Sequence, residues 1–512
     1  KATLHLFDAI TGKAVEADFG LQKSQSFAVN AKQSTAVSWK IKVPNNLQAI
    51  TYQVIADAKD FSDGEENALP ILTNRMLVTE SLPLPMRGAG TKDFTFAKLQ
   101  QADRSNTLQH QSLTLEYTTQ PAWYAIQALP YLMEYPHECS EQIFSRYYAN
   151  SIGSHIANSD PRVKQVFEQW QEAAKIQDAS TNTNKEGALF SNLEKNQELK
   201  YLLLQETPWV IDAQNEKERK RRIAVLFDLS RMIAEQEKAE QELVARQNED
   251  GSFAWFKGMY PDTYITQHIA TGFGHLDKLG VKSLRDNPAT WQMVQKAVQY
   301  VDYQSDKNYQ YLKERNLIKK DQVNNPYLQI QYLYMRSFFT DIPVEERYKE
   351  SFAYWKQQAE KHWLQQSRYM QAMTAIALHR LDKANSKTAA NIMESLRQNA
   401  TQNEELGMYF KRNSYSWYWY DAPIEEQALM IEAFNEVTKD EKSVEALKVW
   451  LLKQKQTNDW KTTRATAEAC YALLLTGDNW LQQSADIDIN IGTQNLNPAT
   501  MPDLKAEAGT GY

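Results

Sequence analysis

Cysteine is almost absent: Cys139 and Cys470 are the only two in 512 residues. That density excludes a disulfide framework, although arithmetic still allows one bridge. A basic excess is missing as well. Lys and Arg number 57 against 64 Asp and Glu, a net charge of -7, so nothing offers the phosphate neutralisation that nucleic-acid binding requires, and no nucleic-acid partner is expected. No apolar run approaches the roughly 18 residues of a membrane-spanning helix, so no transmembrane segment is expected in this stretch. An initiator Met and a basic-then-apolar leader are lacking too, since the chain opens at Lys1 on strand-like KATLHLF. The expectation is an excised fragment whose targeting segment or envelope anchor lies upstream.

What is present is the composition of a folded protein: 42% hydrophobic and 24% charged residues. A prior of roughly 100 to 200 residues per domain gives two to four units. From Lys1 to about Tyr117 short alternating runs (TLHLF, AVSWKIKVP, ITYQVIADA) are separated by turn-prone TGK, PNN and SDGEEN. These predict antiparallel β-sandwich packing, with a joint near residues 70–80 and a last strand signal at SLTLEY, 112–117. After Pro121 long segments of 3.6-residue periodicity run to about residue 480. ADIDINIG, 485–492, then returns to period two, and the tail from Thr493 reads as loop. The fold class predicted is therefore multidomain α+β, with a helical unit inserted between two parts of a β domain.

The helical region repeats. RQNEDGSFAWF before YITQHIATGFGHL resembles KQKQTNDWKTTRATAEACYALL, and HWLQQSRYMQAMTAIALHRL is a weaker third copy. Repeated helix hairpins that need neighbours to bury their apolar faces predict stacking, as an open solenoid or a closed ring. Trp255, Trp460 and SYSWYWY at 414–420 read as packing at hairpin ends rather than as a ligand box.

The two cysteines have different surroundings. Cys470, in ATAEACYALLL, shares a helical stripe with Ala467, Tyr471 and Leu474 and reads as a buried inert thiol. Cys139 lies in YPHECSEQ, 135–142, just before a predicted helix starting near Ser140, with Pro136 upstream and Ile143, Phe144, Tyr147, Tyr148 and Ile152 downstream. Residues three apart meet across one turn, so the Cys139 sulfur and the Gln142 carboxamide can touch. The helix start is expected to lower the thiol pKa. Attack of the sulfur on the Gln142 carbonyl carbon with loss of ammonia gives an internal thioester, inert while covered and reactive once exposed. The plain alternative is a small core cysteine beside a Glu and a Gln that merely favour a first helical turn.

The segment resembles the thioester motif of the α2-macroglobulin and complement family, in which Tyr-Pro-x-x-Cys-x-Glu-Gln opens an early helix of an α/α toroid; Tyr135, Pro136, Cys139, Glu141 and Gln142 match. DGSFAWF and WKTTRATAEACYALL resemble the toroid segments of bacterial members. The resemblance covers essentially the whole chain and implies a macroglobulin-like β-sandwich at 1–75, a discontinuous CUB-like β domain at 76–118 and 481–512, and an α/α toroid thioester domain at 119–480. It implies Cys139 as sulfur donor, Gln142 as acyl donor and Glu141 as a supporting residue. The function implied is a proteinase trap, not an enzyme: bait cleavage exposes the thioester, and lysine amines of the protease are captured covalently. No bait segment is recognisable. In the complement branch a histidine redirects the acyl group; no histidine here falls on a matching motif, and His268 reads as an ordinary core or surface residue. The low cysteine count fits a bacterial member of the periplasm or cell surface.

Two other classes compete. QNEDGSF, 247–253, resembles the repeats of terpenoid cyclases, which are also α/α toroids, but an Asp-x-Asp-Asp initiator is missing from the sequence. The third reading is a structural module with no thioester. No cofactor and no metal are expected: the eight histidines show no H-E-x-x-H spacing, and His268 and His275 share a helix face without further ligands in the pattern.

Overall fold

The computed structural model describes residues 1–9, 12–44, 49–58, 61–71, 90–102, 122–133, 138–159, 229–281, 283–319, 321–324, 326–383, 386–404, 406–411, 423–455, 460, 462–476 and 488–496, with isolated positions between them. They divide into two units, one holding Lys1–Val78 and the other the helices. The architecture is mostly helical with small antiparallel sheets.

The first unit is a four-stranded antiparallel sheet of order β2-β1-β3-β4: β1 (Ala2–Asp8), β2 (Ser24–Gln25), β3 (Ala49–Ala58) and β4 (Phe61–Pro70). Alternation along β1 buries Ala2, Leu4 and Leu6 on one face. There Leu4 and Leu6 form a core with Val15, Phe19, Leu47 and Ile50, and Leu21 and Trp39 pack against it. Among the described residues the layer opposite that face is loop, not a second sheet, because AVSWKIKVP, expected as a strand, runs without ladder partners.

Twelve helices of the second unit form six hairpins. Their ranges are α1 Ala122–Met133, α2 Ser140–Ser159, α3 Leu229–Arg246, α4 Thr263–Lys278, α5 Pro288–Glu314, α6 Tyr327–Ser337, α7 Lys349–His362, α8 Arg368–Leu381, α9 Lys387–Gln398, α10 Pro423–Ala433, α11 Glu441–Lys453 and α12 Thr463–Leu475. The even-numbered helices pack in sequence, α2 on α4, α4 on α6 and so on, and α12 returns to α2. The odd-numbered helices lie outside them, so the stack closes into an α/α ring rather than an open solenoid. Two small hairpins, β5–β6 (Thr401–Asn403, Gly407–Tyr409) and β7–β8 (Ile489–Ile491, Gln494–Leu496), also belong to this unit.

Local chemistry sets where the helices begin. Asp262, Asn287, Ser367, Ser386, Asp440 and Thr462 each cap a helix by accepting a backbone N–H. The sequence repeat has a physical basis in the two best-matched hairpins. The N–H of Phe253 donates to Thr266 Oγ1 at 2.9 Å, and the N–H of Trp460 donates to Thr466 Oγ1 at 3.0 Å. In both, a buried aromatic before the inner helix is pinned to a threonine in that helix's first turn. Gly272 lets α4 approach α2: a Cβ there would sit 2.2 Å from the Phe144 ring.

Candidate functional site

Helix α2 starts at Ser140, one residue after Cys139. Its apolar residues Ile143, Phe144, Tyr147, Tyr148 and Ile152 are all buried, which fixes the helix against α4 and leaves its first turn at the ring's edge. The loop entering α4 covers that turn: the Ser140 N–H donates to Trp255 O at 2.9 Å and its Oγ–H to Ala254 O at 2.6 Å.

Cys139 stands at the N-cap position, and Gln142 three residues on reaches back to it. The Cys139 N–H donates to Gln142 Oε1 at 3.4 Å, while the Gln142 backbone N–H donates to the Cys139 carbonyl oxygen at 3.1 Å. The first of these bonds is the half of a capping box in which the N3 side chain reaches back to the N-cap N–H. The carboxamide is thereby folded back over the cysteine backbone. Cys139 is 7% exposed.

The thiol pKa differs in direction from the sequence expectation. It is raised, because burial penalises the thiolate and the Glu141 carboxyl adds repulsion; the Gln142 and Glu141 N–H groups oppose this without winning. The helix-start effect is present but is outweighed by the cover that the Ala254–Trp255 loop supplies.

Glu141 is also buried, and burial raises its pKa. Its Oε1 accepts from Ser145 Oγ at 3.0 Å and from Thr463 Oγ1 at 3.1 Å, and Oε2 accepts from Thr463 at 3.2 Å. Thr463 opens α12, so both loops that the repeats brought to notice, the one before α4 and the one before α12, converge on the first turn of α2.

The remaining marked residues fall as follows. Cys470 is fully buried in α12, its thiol donating to Ala125 O at 3.4 Å and its pKa pushed up by burial. Trp460 is buried and donates from Nε1 to Leu451 O; Trp255 donates to Asp262 and stacks on Tyr264. Gln247 of QNEDGSF holds Gly251 O and Met293 O, so that segment's polar side chain joins backbone to backbone. His268 is packed between Phe144 and Tyr264, and burial with the neighbouring Arg464 pushes its pKa down to about 3. His275 is held by Tyr334 and stacked on Tyr471 at 3.8 Å. Tyr135, Pro136 and SYSWYWY lie outside the described residues, as do most of 76–118 and 481–512.

The sequence reading did not single out Thr463 or the group behind it. Arg464 donates to the hydroxyls of Tyr264 and Tyr369, and Tyr327 packs on both rings. Deeper, Glu432 accepts from Tyr334, Tyr471 and Arg380. These residues come from α4, α6, α8, α10 and α12, and line the inside of the ring with polar groups. Helical spacing alone marks which of them share a face; it carries no sign of which helix faces which. Among the described residues no three His, Cys, Asp or Glu side chains converge as a metal-binding group. No described helix is long and apolar enough to cross a membrane. A cleft of about 890 Å³ bounded by Lys92, Arg397, Glu404, Asp440 and Lys442 shares no residue with the Cys139 site.

No family model matches the chain. No curated protein is similar to it in sequence. Among solved structures the chain is similar to the crystal structure of native alpha-2-macroglobulin from Escherichia coli spanning the residues from domain MG7 to the C-terminus, at 11% identity and a TM-score of 0.37, over 93% of this chain and 60% of that chain's length.

Proposed function

We propose that this chain is the thioester-bearing part of a proteinase trap, with Cys139 and Gln142 as the bonded pair. The observation that supports the reading is the bond from the Cys139 N–H to Gln142 Oε1 at the start of α2, which folds the carboxamide back over the cysteine backbone. In forming the bond, Cys139 Sγ attacks Gln142 Cδ, the C–N bond breaks, and the thiol proton leaves on ammonia. Oxygen charge develops on Gln142 Oε1, where the Cys139 N–H already donates, as an oxyanion stabiliser should. A raised thiol pKa makes the sulfur a poorer leaving group while the site is covered, which favours a long-lived bond until the cover is removed. Attack by a lysine amine forms an amide, and the sulfur departs with the amine's proton.

The resemblance of YPHECSEQ supports bait cleavage as the trigger, proteases as the captured partners, and the periplasm or cell surface as the place of action. The macroglobulin-like domain at 1–75, the CUB-like domain at 76–118 and 481–512 and the toroid at 119–480 belong to the same proposal, as does an envelope anchor elsewhere in the protein. QNEDGSF needs no cyclase role, since its glutamine and glycine serve packing. The test is incubation of the full-length protein with a trypsin-type protease, followed by denaturing electrophoresis. A covalent adduct that disappears in Cys139→Ala and in Gln142→Ala is expected; adducts of equal yield in all three proteins would refute the reading.

A further inference from the structure

Glu141 stands between the two residues of the bond in sequence, yet its carboxyl is committed elsewhere. Ser145 lies in the same helix, one turn on, and would stay with Glu141 wherever α2 went. Thr463 does not. It belongs to the last inner helix, and its hydroxyl spans both carboxyl oxygens at 3.1 and 3.2 Å across the α12–α2 contact that closes the ring. Both ends of this link are rigid: Thr462 caps α12 by accepting from Ala465, and Ser140 is clamped to Ala254 and Trp255. Among the described residues Thr463 is the one hydrogen-bond partner of Glu141 outside α2.

We infer that Thr463 is a positioning residue for the Cys139–Gln142 pair, acting through Glu141 to hold the first turn of α2 in the register that the bond requires. The inference rests on the thioester reading above. Holding the Glu141 side chain fixes the backbone on either side of it, and that backbone supplies the donor that holds the carboxamide, the Cys139 N–H to the Gln142 oxygen. Without the tether that donor remains but loses its alignment, and a misplacement of about 1 Å is enough to change reactivity by orders of magnitude. The same link makes the bond sensitive to the ring seam, so that displacement of the α11–α12 hairpin loosens the acyl group.

The test uses full-length protein carrying Thr463→Val, which keeps the shape and removes the hydroxyl, Thr463→Ser, which keeps the hydroxyl, and Ser145→Ala. The readout is the half-life of the amine-reactive bond in uncleaved protein, followed as Cys139 becoming alkylatable. Thr463→Val is expected to shorten it about tenfold, with Thr463→Ser restoring it to within about twofold of wild type and Ser145→Ala changing it by about twofold. Thermal unfolding recorded in parallel should place Thr463→Val and Thr463→Ser together, since a purely structural threonine would alter melting without selecting for the hydroxyl. A wild-type half-life in Thr463→Val, or no rescue by Thr463→Ser, overturns the inference and leaves the thioester reading standing. A wild-type protein whose Cys139 alkylates fully without amine overturns both.

Discussion

The two cysteine regions look alike until their backbone is considered. Cys139 and Cys470 are both buried, both carry raised pKa values, and each has a glutamate two residues away, Glu141 and Glu468. Cys139, however, stands before the first turn of α2, where its own N–H, outside the helical ladder, meets the Gln142 carboxamide. Cys470 lies inside α12, where every N–H belongs to the helix, and its thiol has only a carbonyl to meet. The glutamates differ in the same way. Glu141 is served by two hydroxyls; Glu468, among the described residues, has no hydrogen-bond donor and is surrounded by Arg464 and the like charges of Glu432 and Glu425. Burial raises the thiol pKa in both places, and what separates them is whether a carboxamide is folded back to the cysteine.

The sharpest way to break the comparison is to exchange the roles. Cys139→Ala should abolish covalent protease capture completely while changing unfolding free energy by about 1 kcal/mol or less, because a helix-start side chain leaves little cavity. Cys470→Ala should leave capture intact, and both outcomes are read by adduct formation and urea unfolding.

A second effect concerns the glutamate beside Cys470. Burial and the neighbouring carboxylates raise Glu468 from 4.5 to about 7. The folded state therefore holds this proton more tightly than the unfolded chain: its contribution to stability is full below pH 4.5 and is lost as pH rises to about 7. Glu468→Gln, always neutral, should gain on wild type by about 3 kcal/mol in total across that window, measured as the difference between two denaturant series. A constant difference from acid to neutral pH would contradict the burial assigned to Glu468.

Gly272→Ala places a methyl against Phe144 and should cost about 2 kcal/mol of overpacking, with a shorter-lived thioester because α2 shifts. The smallest effect is expected for Cys470→Ser, at about 1 kcal/mol for a hydroxyl in an apolar slot beside one carbonyl, with no change in capture.

Much of this was legible in the sequence, for local reasons. The start of α2 at Ser140, the inward stripe from Ile143 to Ile152, and the pairing of DGSFAWF with DWKTTRAT all follow from periodicity and capping residues, which act within a few positions. The ring's closure is not legible there, because an open stack and a closed one bury the same faces. The direction of the Cys139 pKa shift is not legible there, since the sequence reveals a helix start but not the loop that covers it. The tie between Glu141 and Thr463 spans 322 positions, and nothing in the spacing of either segment specifies the other as its neighbour. The same holds for Arg464 among Tyr264, Tyr327 and Tyr369, where three helices each supply one ring.

The bond itself decides between a working trap and a well-capped helix. Intact mass of uncleaved full-length protein, recorded before and after methylamine, should first fall one ammonia short of the encoded mass. It should then rise by one methylamine as a single thiol appears at Cys139. A native mass equal to the encoded sequence, with Cys139 alkylating fully before any amine is added, would contradict the thioester and leave Gln142 as a helix-start cap on the Cys139 N–H and nothing more.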